Sequence, residues 1–208
     1  MLRIDIHNEK GGVGCTTIAN HLIRGAREIG LRVAAMSLDP TQSLVRELEG
    51  TGTPIVEPGA DLDDAVDLLI IDRNTQHHGP IDADVRVIPI RDRRSLELAC
   101  ELSDRYPAPI LWVRSMTNRV PAIPGYLKGR VRLTSAIPLS DAIAMAAWRR
   151  RIVWDDDDLA ATAGARSMRR AVFDILRRAM GTEVVLDPPS TALPIEPGDS
   201  VLLRHAPA

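Results

Sequence analysis

Two kinds of apolar pattern alternate along this chain. Short apolar runs typical of buried strands occur at six places, and stretches with helical spacing lie between several of them. The predicted strands are Leu2–Ile6, Arg32–Leu38, Asp67–Asp72, Val85–Ile90, Ile110–Arg114 and Val131–Ala136. Strands that alternate with helices usually form parallel sheets through crossover connections. The pattern therefore predicts an α/β fold with a mostly parallel, twisted sheet and helices on both faces.

Helix boundaries can also be predicted. Ser95 and Ser140 are each suited to cap the start of a helix. The last helix is expected near Ala165–Met180, because its apolar residues fall on one stripe and Gly181 follows it. We expect one domain over residues 1–182, followed over 183–208 by a Pro-rich tail or an edge strand.

Composition narrows the range of functions. The net charge of the 208 residues is −2, so any surface that attracts nucleic acid must be a local patch. Aromatic residues make up only 3%, which argues against a platform that stacks single-stranded bases. Two cysteines do not form a disulfide framework, and no apolar run has the length of a membrane span. We therefore expect a cytoplasmic protein.

A glycine-rich segment joins the first predicted strand to the first helix. Backbone amides of such a turn, together with the positive end of the helix, can enclose phosphate oxygens. The candidate nucleotide-binding residues here are Gly11, Gly12, Val13, Gly14, Cys15, Thr16 and Thr17. The hydroxyl of Thr16 can also bind magnesium. Cys15 stands where phosphate-binding loops carry a lysine, so the cation nearest the phosphates is missing.

Two aspartates stand at the ends of predicted strands, one directly after a strand and one as the last strand residue, at the edge of the sheet where open α/β folds bind ligands. They are Asp39 and Asp72, and with Thr16 they form a candidate metal site. Taken one at a time, acids at strand ends commonly cap helices or remain solvated. Only their shared edge favours a functional site.

Together these residues resemble the ParA/MinD family of deviant P-loop ATPases. The resemblance assigns Lys10 to the family's signature lysine, which reaches the partner's phosphates, and the segment from Ser37 to Gln42 to its switch. Asp39 would then help to position the attacking water, and Asp72 would be the Walker B aspartate. On the adenine side, the resemblance assigns Asn118 and Pro138.

The resemblance implies a P-loop NTPase that uses ATP/ADP and Mg2+ and forms a homodimer around nucleotide. It further implies non-specific DNA binding, a ParB-like or cargo adaptor, a role in plasmid or chromosome segregation, nucleoid association and no membrane partner. Candidate DNA-binding residues lie opposite the apolar stripe of the last helix: Arg166, Arg169, Arg170 and Arg177. This surface could be extended by Arg91, Arg93, Arg94 and Arg149–Arg151. The arginines of the last helix could equally be the solvent-exposed face of an ordinary surface helix, without a role in binding DNA.

Loss of the lysine should weaken nucleotide binding by about ten- to a hundredfold and impair hydrolysis more. One functional alternative is a non-hydrolysing structural or regulatory protein that acts through protein contacts. Cys15 could also be a nucleophile or redox sensor, since a helix N-terminus lowers thiol pKa values. Cysteine-dependent phosphatases, however, carry arginine six residues later, where this chain has His21. Cys15 could also be an engineered change or a natural loss of the lysine without a function of its own.

Overall fold

The computed structural model describes residues 1–60, 62, 65–73, 75, 81–106, 109–117 and 122–181. The prediction for Asn118 and the tail predicted over 183–208 lie outside these residues. The strands are β1 Leu2–Ile6, β2 Val33–Ser37, β3 Leu68–Asp72, β4 Val85–Ile90, β5 Ile110–Arg114 and β6 Val131–Leu133. The helices are α1 Cys15–Glu28, α2 Ser43–Leu48, α3 Arg93–Arg105, α4 Asp141–Trp148 and α5 Ala163–Met180, with a 3-10 turn at Gly125–Leu127.

The six strands form one parallel sheet in the order β2-β3-β1-β4-β5-β6. The predicted α/β class and parallel sheet are thereby confirmed. The order reverses at β1, which lies between β3 and β4. Ligands of open α/β sheets bind at such a reversal, beyond the carboxyl ends of the strands. The glycine-rich segment begins at that point.

Three local predictions need correction. The helix expected to start at Ser95 begins at Arg93, because Asp92 is its N-cap and Ser95 completes a capping box with it. Strand β6, predicted to continue to Ala136, ends at Leu133, which is the last residue that pairs with β5 in the regular ladder. Helix α2 has no counterpart among the predicted helices, and its six residues are too few to display a clear helical period.

One face of the sheet is covered by a continuous apolar core. Side chains from β1, β3, β4 and β5 pack there against α1, α4 and α5. Gly25 lies where α1 meets α5: a Cβ at this position would come within 2.6 Å of a Val172 methyl group. The helices therefore approach closely, which fixes α1 and the loop that precedes it on the sheet.

The opposite face has two smaller apolar clusters, one around Trp112 and one around Ile71. A buried ionic cluster lies between these two apolar clusters, with side chains from β1, from β4 and from the residue after β3. The Asp5 carboxylate accepts hydrogen bonds from the guanidinium groups of Arg73 and Arg86, and Arg86 also stacks 3.8 Å from the Tyr106 ring centroid. Because an unpaired buried charge is costly, this arrangement makes Asp5 and the two arginines mutually dependent.

Among the helices within the described ranges, none is long and apolar enough to cross a membrane.

Candidate nucleotide site

A cavity of about 630 Å³ opens at the carboxyl edge of the sheet, beside β1 and β3. It is lined by parts of four segments that are far apart in sequence: the glycine-rich loop, the turn after β2, the end of β3 with the residues that follow it, and Met116 after β5. The lining includes most of the predicted site: Lys10, Gly11, Gly12, Val13, Gly14, Cys15, Thr16, Thr17, Asp39 and Asp72. Residues chosen from separate sequence motifs thus surround a single cavity.

Gly14 forms the junction between the loop and α1. Its φ of 94° is a left-handed conformation, and a Cβ there would lie 3.1 Å from Ser115 Oγ and 3.3 Å from Met116 Cε. The left-handed conformation favours glycine, and the two close approaches leave little room for a side chain. The first amides of α1 have no acceptor within the helix and carry its positive dipole. The start of α1 can therefore receive an anion in the cavity.

The first half of the loop is held by the corner between β4 and α3. The side-chain Nδ2 of Asn8 donates to the backbone carbonyls of Pro89 (2.8 Å) and Ser95 (3.1 Å). Its Oδ1 accepts from the backbone N–H of Lys10 (2.9 Å). Arg91 Nη1 donates to the Gly12 carbonyl (3.1 Å). The loop is thus fixed by side chains from both segments, and these contacts were not evident from the sequence motif.

Thr16 and Asp72 meet as the nucleotide-site prediction requires. The Thr16 hydroxyl donates to Asp72 Oδ2 over 2.8 Å. Burial raises the pKa of Asp72 to about 7; the hydrogen bond from Thr16 opposes this rise, and the nearby carboxylates of Asp39, Glu47 and Asp5 add to it. A carboxylate that is buried among other acids is poised to accept a cation.

These oxygens fit magnesium. Mg2+ prefers hard oxygen ligands, and in nucleotide sites it usually takes only one or two from the protein, the rest coming from phosphates and water. Thr16 and Asp72 would supply such ligands. Within the ranges that the structure describes, no group of three or more His, Cys, Asp or Glu side chains forms a complete metal site. Together, the Thr16 hydroxyl and the Asp72 carboxylate would hold a magnesium ion whose other ligands come from phosphate and water.

Cys15 is not suited to act as a nucleophile. Its side chain packs against the apolar core beneath the loop. Burial raises the pKa of the thiol well above its ordinary range, and the negative charge of Asp72 adds to the shift. The lowered pKa expected at a helix N-terminus is therefore wrong for this residue. Because the thiol is neutral, the loop receives no positive charge at this position.

His21 lies one turn after Thr17 on the same face of α1 and contacts the first turn of this helix. Its Nδ1 is 2.7 Å from the Thr17 carbonyl, and its Nε2 accepts from the Val153 amide over 3.2 Å. Since a carbonyl only accepts, Nδ1 carries the proton and the ring is neutral. Burial lowers the pKa of His21 to about 4. The residue is a structural link between α1 and the segment after α4.

Asp39 lines the cavity, but its carboxylate is bound locally. Thr41 donates to it through its hydroxyl (2.5 Å) and its amide (3.0 Å). Partial desolvation acts to raise the pKa of Asp39, but hydrogen bonds from Thr41 and Ser43 hold it below its usual value. Asp39 is therefore an anion whose oxygens are already used by its own turn.

Lys10 also lines the cavity and forms an ion pair within the chain. Its Nζ lies 3.2 Å from Asp92 Oδ2, at the N-cap of α3. The predicted reach of Lys10 to a partner's phosphates requires this ion pair to open. Pro138 follows Ile137, whose carbonyl accepts from the Met116 amide beside the cavity, but Pro138 is not part of the lining.

The four arginines predicted to bind DNA differ in their surroundings. Arg166 and Arg170 are exposed. Arg169 forms an ion pair with Glu28, and Arg177 forms one with Asp174 at 2.8 Å. Half of the predicted arginine face is therefore already paired with acids, and the free positive charge is concentrated at the start of α5.

Sheet topology, loop and cavity together define a P-loop nucleotide-binding fold. The family model described as ATPase MipZ matches residues 2–78, which run from β1 past the end of β3. No curated protein sequence matches the chain. The fold is that of the P-loop NTPases of the ParA/MinD type, as comparison with solved structures shows.

Three solved structures illustrate the similarity. MinD in the MinC:MinD cell division complex of Aquifex aeolicus has a TM-score of 0.63 and 15% identity, covering 90% of this chain and 99% of that chain. An McdA variant of Cyanothece in complex with ATP has a TM-score of 0.55 and 15% identity, covering 89% and 98%. The Mg-ADP complex of MinD from Pyrococcus horikoshii has a TM-score of 0.54 and 13% identity, covering 88% and 99%.

Proposed function

We propose that this chain is a partitioning or positioning ATPase relative that binds ATP with Mg2+, with hydrolysis much reduced. The observation that carries the proposal is the meeting of the glycine-rich loop, Thr16, Asp72 and Asp39 around one cavity. The similar structures support it, since McdA is described in complex with ATP and MinD with Mg-ADP.

The reduced hydrolysis follows from three features of the same site. The chain has Cys15 in place of lysine, Thr41 occupies the carboxylate of Asp39, and Asp92 neutralises Lys10. Phosphoryl transfer depends mainly on positioned charges, and magnesium supplies part of that charge when bound. Amide dipoles of the loop would bind and orient the phosphates even where these side chains do not assist the reaction.

The proposal extends to a homodimer with nucleotide between its subunits and to non-specific DNA binding. Arg166 and Arg170 would contact DNA phosphates first, because their charges are exposed, while Arg169 and Arg177 would have to leave Glu28 and Asp174. Partition or positioning of a cargo through an adaptor is the process we infer. Binding of this kind should weaken steeply with salt and be indifferent to DNA sequence.

A second candidate is a non-hydrolysing regulatory protein that acts through protein contacts. The specific observation that favours it is the local pairing of both predicted catalytic residues, Lys10 and Asp39, inside the chain. In this case nucleotide would serve to set the conformation or the dimer rather than to be consumed.

The test is the affinity of the chain for ATP and ADP, measured by calorimetry with and without magnesium. We expect saturable binding of both nucleotides, tighter for ATP when magnesium is present. DNA binding by a duplex of unrelated sequence, measured with ATP at two salt concentrations, tests the second part. Absence of nucleotide binding under all conditions would rule out the ATPase and the nucleotide-set regulator alike.

A further inference from the structure

Three cations near the cavity, Lys10, Arg73 and Arg91, differ in what neutralises them. Lys10 is paired with Asp92, and the buried Arg73 is paired with Asp5. Arg91 donates to a neutral group, the Gly12 carbonyl. Among the residues that the structure describes, no carboxylate lies within ion-pair distance of Arg91. Its positive charge is thus uncompensated.

The position of Arg91 follows from the fold. It comes directly after β4, which is the neighbour of β1 in the sheet, so both strands end at the same edge. Its own amide donates to Ser95 Oγ over 2.9 Å, and Ser95 belongs to the capping box of α3. The backbone of Arg91 is therefore fixed, and only its side chain has to reach the loop.

The contact with Gly12 acts on the amide that follows. The Gly12 carbonyl and the Val13 N–H belong to the same planar trans peptide, so they point in opposite directions. A guanidinium on the carbonyl fixes the direction of that N–H and polarises the peptide, which makes the N–H a stronger donor. Gly12 and Val13 both line the cavity.

We infer that Arg91 is a positioning residue of the phosphate loop, and this inference rests on the proposed nucleotide site. It orients the Gly12–Val13 peptide and adds a positive charge from the outer side of the loop. That charge replaces part of the attraction for phosphates that the loop lacks because Cys15 stands in place of lysine. The ligand class is a polyphosphate, whose affinity should rise with its negative charge.

The experiment measures the affinity of the full chain for tripolyphosphate, ATP, ADP and adenosine in three variants. Arg91→Gln keeps a hydrogen-bond donor without the charge, Arg91→Lys keeps the charge, and Arg91→Ala removes both. We expect Arg91→Gln to lose about tenfold in affinity for ATP and tripolyphosphate, less for ADP, and nothing for adenosine. Arg91→Lys should lose least, and the loss in Arg91→Gln should shrink at 1 M salt.

The matched control is Arg93→Gln, two residues away. The Arg93 side chain is 93% exposed and paired with Glu97 at 3.0 Å, so removing its charge leaves the loop unchanged. Equal affinities of the Arg91→Gln variant and the unmodified chain would overturn the inference alone, as would losses that do not depend on the number of phosphates. An unmodified chain that binds none of the polyphosphates would overturn both the inference and the proposed function.

Discussion

Two groups of residues around the cavity differ in how well they retain the features of a nucleotide site. The first, called here the binding side, has the left-handed glycine of the loop, the N-terminus of α1 and the contact between Thr16 and Asp72. The second, called here the reaction side, consists of Asp39 after β2, which is held by Thr41, and Lys10, which is held by Asp92 after β4. If the chain acts as proposed, binding and reaction are separable: backbone dipoles would do most of the binding, whereas the reaction would need free charged side chains.

The largest expected effect is a pH-dependent change in the free energy of unfolding, caused by His21 in α1, the helix that begins at the phosphate loop. Its folded pKa of about 4 lies below the ordinary value of 6.5, so the unfolded chain binds more protons between these pH values. Its contribution to stability is complete above pH 6.5 and is lost as pH falls toward 4, by about 3 kcal/mol. Denaturant unfolding measured across this range, for the unmodified chain and for His21→Gln, tests the prediction.

The comparison with His21→Gln is needed because the raised pKa of Asp72 acts in the opposite direction. Asp72 destabilises the folded chain progressively as pH rises from 3.8 to about 7. The difference between the two proteins therefore isolates His21. Parallel pH profiles of the two unfolding free energies would contradict the assignment of a buried, neutral imidazole.

Asp72→Asn should remove the effect of magnesium on ATP binding. The amide is a much weaker ligand for the cation, and we expect a loss of about a hundredfold in affinity with magnesium present. Stability at neutral pH should stay equal or rise, since the carboxylate is buried near other acids. Asp67→Asn, at the opposite end of β3, is the matched control and should keep the magnesium effect. If magnesium still strengthens ATP binding to Asp72→Asn, the assignment of the binding side is wrong.

Cys15→Lys should strengthen ATP binding by about tenfold and increase hydrolysis by more. The added ammonium replaces a neutral thiol that packs against the core. Cys15→Met separates charge from bulk and should bring no gain. A lysine variant with tighter binding but no hydrolysis would favour the regulatory candidate, because the reaction side would then be incompetent even with its cation restored.

Thr41→Ala should release Asp39 and raise hydrolysis by about fivefold in the Cys15→Lys background, the equivalent of one hydrogen bond. ATP affinity should change little, since the Asp39 carboxylate is engaged with its own turn. Thr41→Ser keeps the hydroxyl and serves as the control. A change in affinity without a change in rate would place Asp39 on the binding side instead.

Much of the fold and of the candidate site could be predicted from the sequence, but some parts were predicted better than others. The ends of β1, β4 and β5 were predicted correctly, and a polar residue follows each of these strands. The loop was recognisable because only glycine suits its geometry. Asp92 was missed as the cap of α3, since Ser95 offered an equally good local signal.

Contacts between side chains from distant segments could not be predicted. Nothing in the sequence around Lys10 or Arg91 indicates that they turn to Asp92 and Gly12. The buried cluster of Asp5, Arg73 and Arg86 depends on parallel register, in which Asp5 lies opposite Arg86. Each of these pairings is decided by the packed sheet and not by local sequence preference.

The most direct test of separable binding and reaction is the fate of ATP in a single turnover. The unmodified chain would be mixed in excess with ATP and magnesium, and the nucleotide released from the protein would be identified over time. We predict that ATP is bound and recovered largely intact, while Cys15→Lys converts it to ADP faster. Conversion by the unmodified chain as fast as by Cys15→Lys, or no bound ATP at all, would contradict the account.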